Sequence, residues 1–414
     1  MTRREGLCYT PIMDKIEELL TRGVANIIPN KGELETKLRS GKKLNIYLGI
    51  DPTSTKIHLG HAVSLRKLQA FADLGHNVTF LIGDFTALIG DTSDKDTERP
   101  ALTMKQIREN FQTYMTQAEK VVDFSKVTLK NNSEWLKRLS FEEIIKLTQH
   151  FSVGDFAGRE LIKKRLSDGS RVGLHEFLYP VMQGYDSYHL DTDIQVGGTD
   201  QTFNMQAGRT LQKLLRDKDS FVLTTPILEG TDGRKMSKSW GNAIWLDDTA
   251  YDMYAKVMAI DDSLLIPYFT LATNVHMAEI KLLEEKLSKG EEHPMKAKKQ
   301  LAQQIVAELY DRHEAEQAAK AFENIVQKDE LPSDIPIIVL PASKTAVSIA
   351  DALANINLAL SKSDAKRLVE QGGVRVGDTL IKDHQQSFKS LLKEEETLIQ
   401  VGKRRFVKIK IETS

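Results

Sequence analysis

The chain has 414 residues, too many for one ordinary hydrophobic core, so two or three domains are expected. With 41% hydrophobic and 28% charged residues the composition is that of a globular protein, and no run of about 18 apolar residues suggests a membrane-spanning helix. Fifty-seven Lys and Arg stand against 58 Asp and Glu, so net charge argues neither for nor against a nucleic-acid partner.

The opening stretch, MTRREGLCYTPIMDKIEELL, runs from basic residues into a charged amphipathic segment without the apolar core of a secretory signal; a cytoplasmic location is expected. Cys8 is the only cysteine, which excludes an intrachain disulfide framework and a multi-cysteine zinc site. Leu44 to Ile50 (LNIYLGI) reads as a buried strand closed by Asp51-Pro52. A helical pattern begins near His58, with Leu59, Val63, Leu65, Leu68 and Phe71 mostly on one side, and stops at Gly75. Asn77 to Gly83 is a second β-rich run, and strand, helix, strand in that order indicates a parallel α/β unit with a right-handed crossover. Helical patterns such as SFEEIIKLTQHF fill a segment at about 126–190 that looks inserted between two halves of a sheet. A strand over Thr192 to Val196, a helix over Asp200 to Leu215 and a strand over Ser220 to Thr224 complete the second half.

The expected fold is therefore α/β, with a Rossmann-like doubly wound parallel sheet over 1–247 and a polar loop at 231–241. Residues 248–328 are helical in pattern and form an expected α-helical domain. Three prolines in DELPSDIPIIVLPAS suit a linker over 329–343, and 344–414 would be a small α+β domain. From Ser361 to Ser414 there are 12 basic and 8 acidic residues, with Lys403, Arg404 and Arg405 contiguous, a mild local surplus that points to a polyanion.

Two constellations carry chemistry. The first is Tyr47-Leu-Gly49-Ile-Asp51-Pro-Thr53 followed by His58-Leu-Gly60-His61, at the end of a strand and the start of a helix, where α/β sheets bind ligands and a helix N-terminus offers free N–H groups to phosphate. Gly60 leaves room for a flat base to approach the backbone. His-x-x-His alone is as often a surface pair or half a metal site. The second is Gly233-Arg-Lys235-Met236-Ser-Lys238-Ser239, whose lysines could follow negative charge as pyrophosphate leaves; alone it reads equally as a solvated basic loop. Neither G-x-x-x-x-G-K-[ST] nor H-E-x-x-H is present, so P-loop and zinc-protease chemistry have no support.

Together, HLGH at 58–61 and KMSKS at 235–239 resemble the paired nucleotide motifs of class I aminoacyl-tRNA synthetases. Tyr47, Gly49, Asp51, Thr53, Gly90-Asp91, Tyr179-Pro-Val-Met-Gln183-Gly-Tyr185-Asp186 and Gln195-Val-Gly-Gly198-Thr-Asp200-Gln201 resemble, in order and spacing, the tyrosyl-tRNA synthetases of bacterial type. Tryptophanyl relatives typically carry Gly-Glu-Asp-Gln where this chain has Gly197 to Gln201.

The resemblance implies that Tyr47 and Asp186 meet the substrate phenol, as donor and acceptor. A site that pairs a hydroxyl rejects phenylalanine by about 10⁵, a magnitude known from tyrosine-specific synthetases themselves. It implies that Asp91, Tyr179 and Gln183 hold the ammonium group, Asp91 as its charge partner. Gly49, Asp51, Gly60, Gly198, Asp200 and Met236 would line the ATP site, with Asp200 on the ribose, and Gln201 would sit beside the reacting carboxylate. Thr53, His58, His61, Lys235 and Lys238 would stabilise the triphosphate, assisted by Lys95 and Arg99. The loop before those two departs from the family, with Thr92-Ser93-Asp94 in place of Pro-Ser-Gly or Pro-Thr-Gly.

Seen singly, Tyr179 and Tyr185 fit a core and Asp51 before Pro52 fits a turn, whereas a buried carboxylate at Asp186 needs a partner. ATP would enter as a substrate with Mg²⁺, with no metal site on the protein itself and no tightly bound cofactor. Residues 361–377, with Lys362, Lys366, Arg367 and Arg375, resemble a small RNA-binding domain first known in a ribosomal protein, so tRNA is the expected partner and a homodimer the expected assembly. Tryptophan activation on the same fold, and an RNA-binding scaffold without catalysis, are the competing readings; the first is disfavoured by Gly197 to Gln201, the second by intact His58, His61, Lys235 and Lys238.

Overall fold

The computed structural model describes residues 14–91, 102–237, 240–327, 335–359, 361–392, 396–402 and 405–412. Lys95, Arg99 and Lys238 lie outside the described residues. By internal contacts the chain divides into two compact units, Met1–Asp248 with Lys256–Asp311, and Thr249–Ala255 with Arg312–Ser414.

The first unit is built on a six-stranded sheet. Its strands are β1 (Asn26–Ile28), β2 (Asn45–Ile50), β3 (Asn77–Ile82), β4 (Val127–Asn131), β5 (Ile194–Gly198) and β6 (Phe221–Thr225), ordered β1-β6-β5-β2-β3-β4. All neighbours are parallel except β1, which pairs antiparallel with β6. The central strands read as apolar runs because helices cover both faces: Phe80, Leu81 and Ile82 of β3 are fully buried, as are Leu68 and Phe71 of the helix Leu59–Asp73. Strand order reverses between β2 and β5, so a crevice opens at their carboxyl ends, where Asp51 and Gly198 stand.

The α/β expectation holds, with two edge strands that the sequence reading passed over. The inserted segment was read as helical from about 126, but Val127–Asn131 is β4, paired with β3. An edge strand has one partner and one half-wet flank, so VTLKN, whose Leu129 is 36% exposed, lacks a continuous apolar signal. The rest of the insertion is helical, ending in the long helix Leu174–His189, which packs on the helix Thr202–Arg216.

The helices Leu265–Ala272, Met277–Ser288 and Pro294–Leu309 belong to the first unit, whereas most of Ala250–Val257 belongs to the second. Leu265–Ala272 packs on Leu59–Asp73. Arg22 donates to the carbonyls of Thr270, Thr273 and Val275 at 2.6–2.9 Å, at and just past that helix's C-terminal end. Arg66 donates to Ala272 O at 2.9 Å and pairs with Glu308, also at 2.9 Å.

The second unit carries a five-stranded sheet ordered β7-β11-β10-β8-β9, from β7 (Ile337–Pro341), β8 (Val374–Val376), β9 (Thr379–Leu380), β10 (Glu396–Val401) and β11 (Arg405–Glu412). Ile349, Leu353, Val369, Phe388, Ile399 and Ile409 form its core. The linker expected over 329–343 thus contains a strand, β7, parallel to β11. Two of its prolines are compatible with that place, since Pro336 precedes the strand and Pro341 ends it on a sheet edge where a missing N–H leaves no ladder bond unmade, while Pro332 lies outside the described residues.

Candidate active site

The crevice at the β2/β5 switch point is a cleft of about 530 Å³. Every described residue assigned to the substrate and nucleotide sites lines it: Tyr47, Gly49, Asp51, Thr53, His58, Gly60, His61, Asp91, Tyr179, Gln183, Asp186, Gly198, Asp200, Gln201, Lys235 and Met236. Three of them share one element. Tyr179, Gln183 and Asp186 are spaced four and three apart on the helix Leu174–His189, which puts them on one face.

Asp186 is 3% exposed and bonded at both oxygens, accepting from Trp135 Nε1 at 2.7 Å and Asn132 Nδ2 at 3.1 Å. Burial raises its pKa to about 8, against the lowering effect of those two donors. The Tyr47 hydroxyl donates to Gln195 Oε1 at 3.1 Å; burial, with the nearby Asp186 charge, keeps that phenol protonated well beyond its ordinary range. From Asp186 a chain of bonds runs across the floor of the cleft. Asn132 Nδ2 also donates to Thr86 Oγ1 at 3.0 Å, Thr86 donates to Asp51 Oδ1 at 2.7 Å, and the Tyr179 hydroxyl donates to Asp51 Oδ2 at 2.9 Å. Asp91 Oδ2 accepts from Gln201 Nε2 at 2.8 Å and Asn204 Nδ2 at 3.2 Å, so neighbouring amides orient that carboxylate.

His58 is the N-cap of the helix Leu59–Asp73, and its backbone N–H donates to His61 Nδ1 at 3.2 Å. That bond fixes the His61 tautomer, leaving its proton on Nε2. The two rings lie 3.9 Å apart. Burial first, then the charges of His61 and Lys235, lowers the pKa of His58 to about 2; burial and Lys235, opposed by Asp200, bring His61 to about 4. Both are therefore neutral donors near pH 7. The second motif stands beside them: Leu59 N donates to Ile244 O at 2.9 Å, Leu246 N to Ile57 O at 3.0 Å, and Lys235 Nζ pairs with Asp200 at 3.1 Å. The two motifs, far apart in sequence, meet around one cleft.

A family model described as tRNA synthetases class I (W and Y) matches residues 39–327. The chain belongs to this class I synthetase family. The relatives of this synthetase include a protein named tyrosine–tRNA ligase 2 in Clostridium acetobutylicum, 40% identical over 97% of this chain and 99% of that one. Another is the tyrosine–tRNA ligase of Carboxydothermus hydrogenoformans, 41% identical over 95% and 97% of the two chains. Among solved structures, a C-terminally truncated mitochondrial tyrosyl-tRNA synthetase of Coccidioides posadasii superposes with a TM-score of 0.60 at 26% identity, covering 74% of this chain and 91% of that one.

Reading motifs missed the residues behind those that face the cleft, Thr86, Asn132, Trp135 and Asn204, and gave Gln195 no role within its motif. Asn132 and Trp135 follow β4, and placing that strand would have marked them, since residues just past a strand's carboxyl end face the crevice. In the second unit of the synthetase, Lys362, Lys366 and Arg367 lie on the helix Lys362–Glu370 and Arg375 on β8, all exposed. Lys362 pairs with Asp351 at 2.8 Å, Arg367 with Asp364 at 2.6 Å and Lys366 with Glu370 at 3.8 Å. Such exposed pairs are worth little, so an anion could exchange for any of the three carboxylates at small cost.

Proposed function

We infer that this synthetase is a tyrosine–tRNA ligase that activates tyrosine with ATP and transfers it to the 3′-terminal adenosine of tRNA. One observation carries the reading: a buried carboxylate and a protonated phenol, Asp186 and Tyr47, share a cleft with both nucleotide motifs. A hydroxyl donor and a carboxylate acceptor suit a substrate phenol; an indole has no oxygen for the first.

Asp91, oriented by Gln201 and Asn204, takes the substrate ammonium together with Tyr179 and Gln183, and Gln201 flanks the carboxylate. A carboxylate oxygen then attacks the α-phosphorus of ATP; the new P–O bond forms as the bond to the β-phosphate oxygen breaks, and pyrophosphate leaves. No proton needs to move to an enzyme base. The protein aligns the reactants and stabilises charge on the five-coordinate phosphorus and the leaving group. Thr53, the neutral His58 and His61 at the helix N-terminus, and Lys235 with Lys238 serve the triphosphate, while Lys95 and Arg99 assist; Gly49, Asp51, Gly198 and Asp200 serve the adenosine. His58 Nδ1 is buried with no partner among the described residues, which supports its use by a ligand. Magnesium arrives on the ATP phosphates. In the second step a ribose hydroxyl of tRNA attacks the tyrosyl carbonyl and AMP leaves.

The helical segment over 248–328 reads as anticodon-binding and 344–414 as an RNA-binding module, with Lys362, Lys366, Arg367 and Arg375 toward the backbone. A homodimer is supported by large apolar side chains left open on the segment between β4 and β5: Phe141 is 77%, Val153 75% and Leu174 80% exposed. No described helix is long and apolar enough to cross a membrane, and the reactants suit the cytoplasm. The test is exchange of labelled pyrophosphate into ATP. Dependence on tyrosine supports the reading, dependence on tryptophan alone replaces it, and RNA binding without exchange leaves a scaffold.

A further inference from the structure

One buried side chain outside both nucleotide motifs is bonded along the segment that carries the lysines. Asn242 is 3% exposed. Its Oδ1 accepts from Ser237 N at 2.8 Å; its Nδ2 donates to Asp232 Oδ1 at 2.6 Å, Lys235 O at 3.2 Å and Arg234 O at 3.3 Å. Its own carbonyl accepts from Thr231 N at 3.0 Å. Every polar atom of the carboxamide is thus spent on the segment 231–237 that carries Lys235. Two residues later the chain pairs with the other motif, since Ile244 O accepts from Leu59 N and Leu246 N donates to Ile57 O.

We propose that Asn242 is a positioning residue for tyrosine activation, holding Lys235 to Ser237 over the cleft in a register fixed against the His58 helix. The side chain is specified by what it satisfies. Two N–H protons meet two carbonyls and a carboxylate while one oxygen meets an N–H, a set neither Asp nor Leu can supply, and Asp would face the Asp232 carboxylate. Gly230 shows how tightly it is seated: a Cβ there would come within 2.5 Å of Asn242 O and 2.7 Å of its Cγ and Nδ2. Buried bonds of this kind carry the full cost of an unmade partner when one side is removed. Lys235 touches substrate on this reading; Asn242 acts only through it.

Two variants attack the same brace from opposite sides. Asn242→Ala removes the carboxamide, and Gly230→Ala leaves it intact but displaces it. Both should lower kcat for tyrosine-dependent pyrophosphate exchange, by about 100-fold if the lysine segment shifts by about 1 Å, with the tyrosine KM unchanged. Amide hydrogen exchange at Ser237 should quicken in both. The kinetic arm rests on the tyrosine-ligase reading, while the amide arm does not: if the unaltered protein shows no tyrosine-dependent exchange, that reading falls and the Ser237 amide alone decides the brace. Unchanged Ser237 protection in both variants overturns the proposal. So does a kcat loss accompanied by equal losses of tyrosine affinity and thermal stability, which would mark general loosening instead of misplaced lysine.

Discussion

On the proposed function, Asp186 sets the chemistry of the amino-acid end. A carboxyl with a pKa of about 8 keeps its proton at neutral pH until a donor arrives, and a substrate phenol is such a donor. Accepting from it favours the anion, so tyrosine affinity should rise as pH climbs toward about 8 and level off above, with proton release on binding below that value. Calorimetry in buffers of differing ionisation enthalpy reads that release, and Asp186→Asn should show none. Asp186→Ala should abolish tyrosine activation; a variant with ordinary KM and turnover would displace the pocket assignment. The histidines shift the opposite way. Because folding lowers His61 from 6.5 to about 4, the unfolded chain binds the proton first as pH falls, so this residue's stability contribution is present above 6.5 and is lost progressively below it. Urea unfolding across that window should show a shallower acid loss in His61→Asn.

The helices that carry these groups are set by close approach. A Cβ on Gly184 would stand 3.1 Å from the backbone of Ala207, and one on Gly208 would stand 2.5 Å from Gln195 Oε1 and 2.7 Å from Ser187 Cβ. Two small residues let Leu174–His189 lie against Thr202–Arg216, which fixes the depth of Tyr179, Gln183 and Asp186 in the cleft. Gly208→Ala should cost about 1–3 kcal/mol of stability by overpacking. It should also weaken tyrosine binding, because Gln195, the acceptor of the Tyr47 hydroxyl, is what the new methyl strikes; denaturation and a tyrosine titration check the two effects separately. The central strands and the helices behind the motifs were legible from their periodicity. Strands β1 and β4 were not, for an edge strand of three to five residues carries too few apolar positions to separate it from a loop or helix fragment, and β7 was hidden by the prolines around it, which read as a linker.

Net charge near zero gives no argument about a polyanion partner, so the charge local to each unit has to supply it. If tRNA is taken by the second unit's basic helix and strand, Lys366→Glu with Arg367→Glu should depress tRNA charging most at low salt, with a shallower salt dependence than the unaltered protein, and leave pyrophosphate exchange untouched. Matched exchange and charging assays across ionic strength decide it. The apolar residues open on the inserted segment make a second expectation: Phe141→Asp with Leu174→Asp should shift light-scattering mass toward the single chain if two copies associate there.

The nucleotide chemistry and the α/β class could be read from the chain alone because they depend on local devices: glycines and histidines at a helix start, lysines in a polar loop, apolar runs of strand length. Partnership could not. Trp135 lies 51 positions and Asn132 54 positions from the Asp186 they bond, and the Tyr47 hydroxyl meets Gln195 across 148. A hydrogen bond is short and directional, so which distant groups satisfy one another is settled by how the sheet and helices pack, and no pattern along the chain records it.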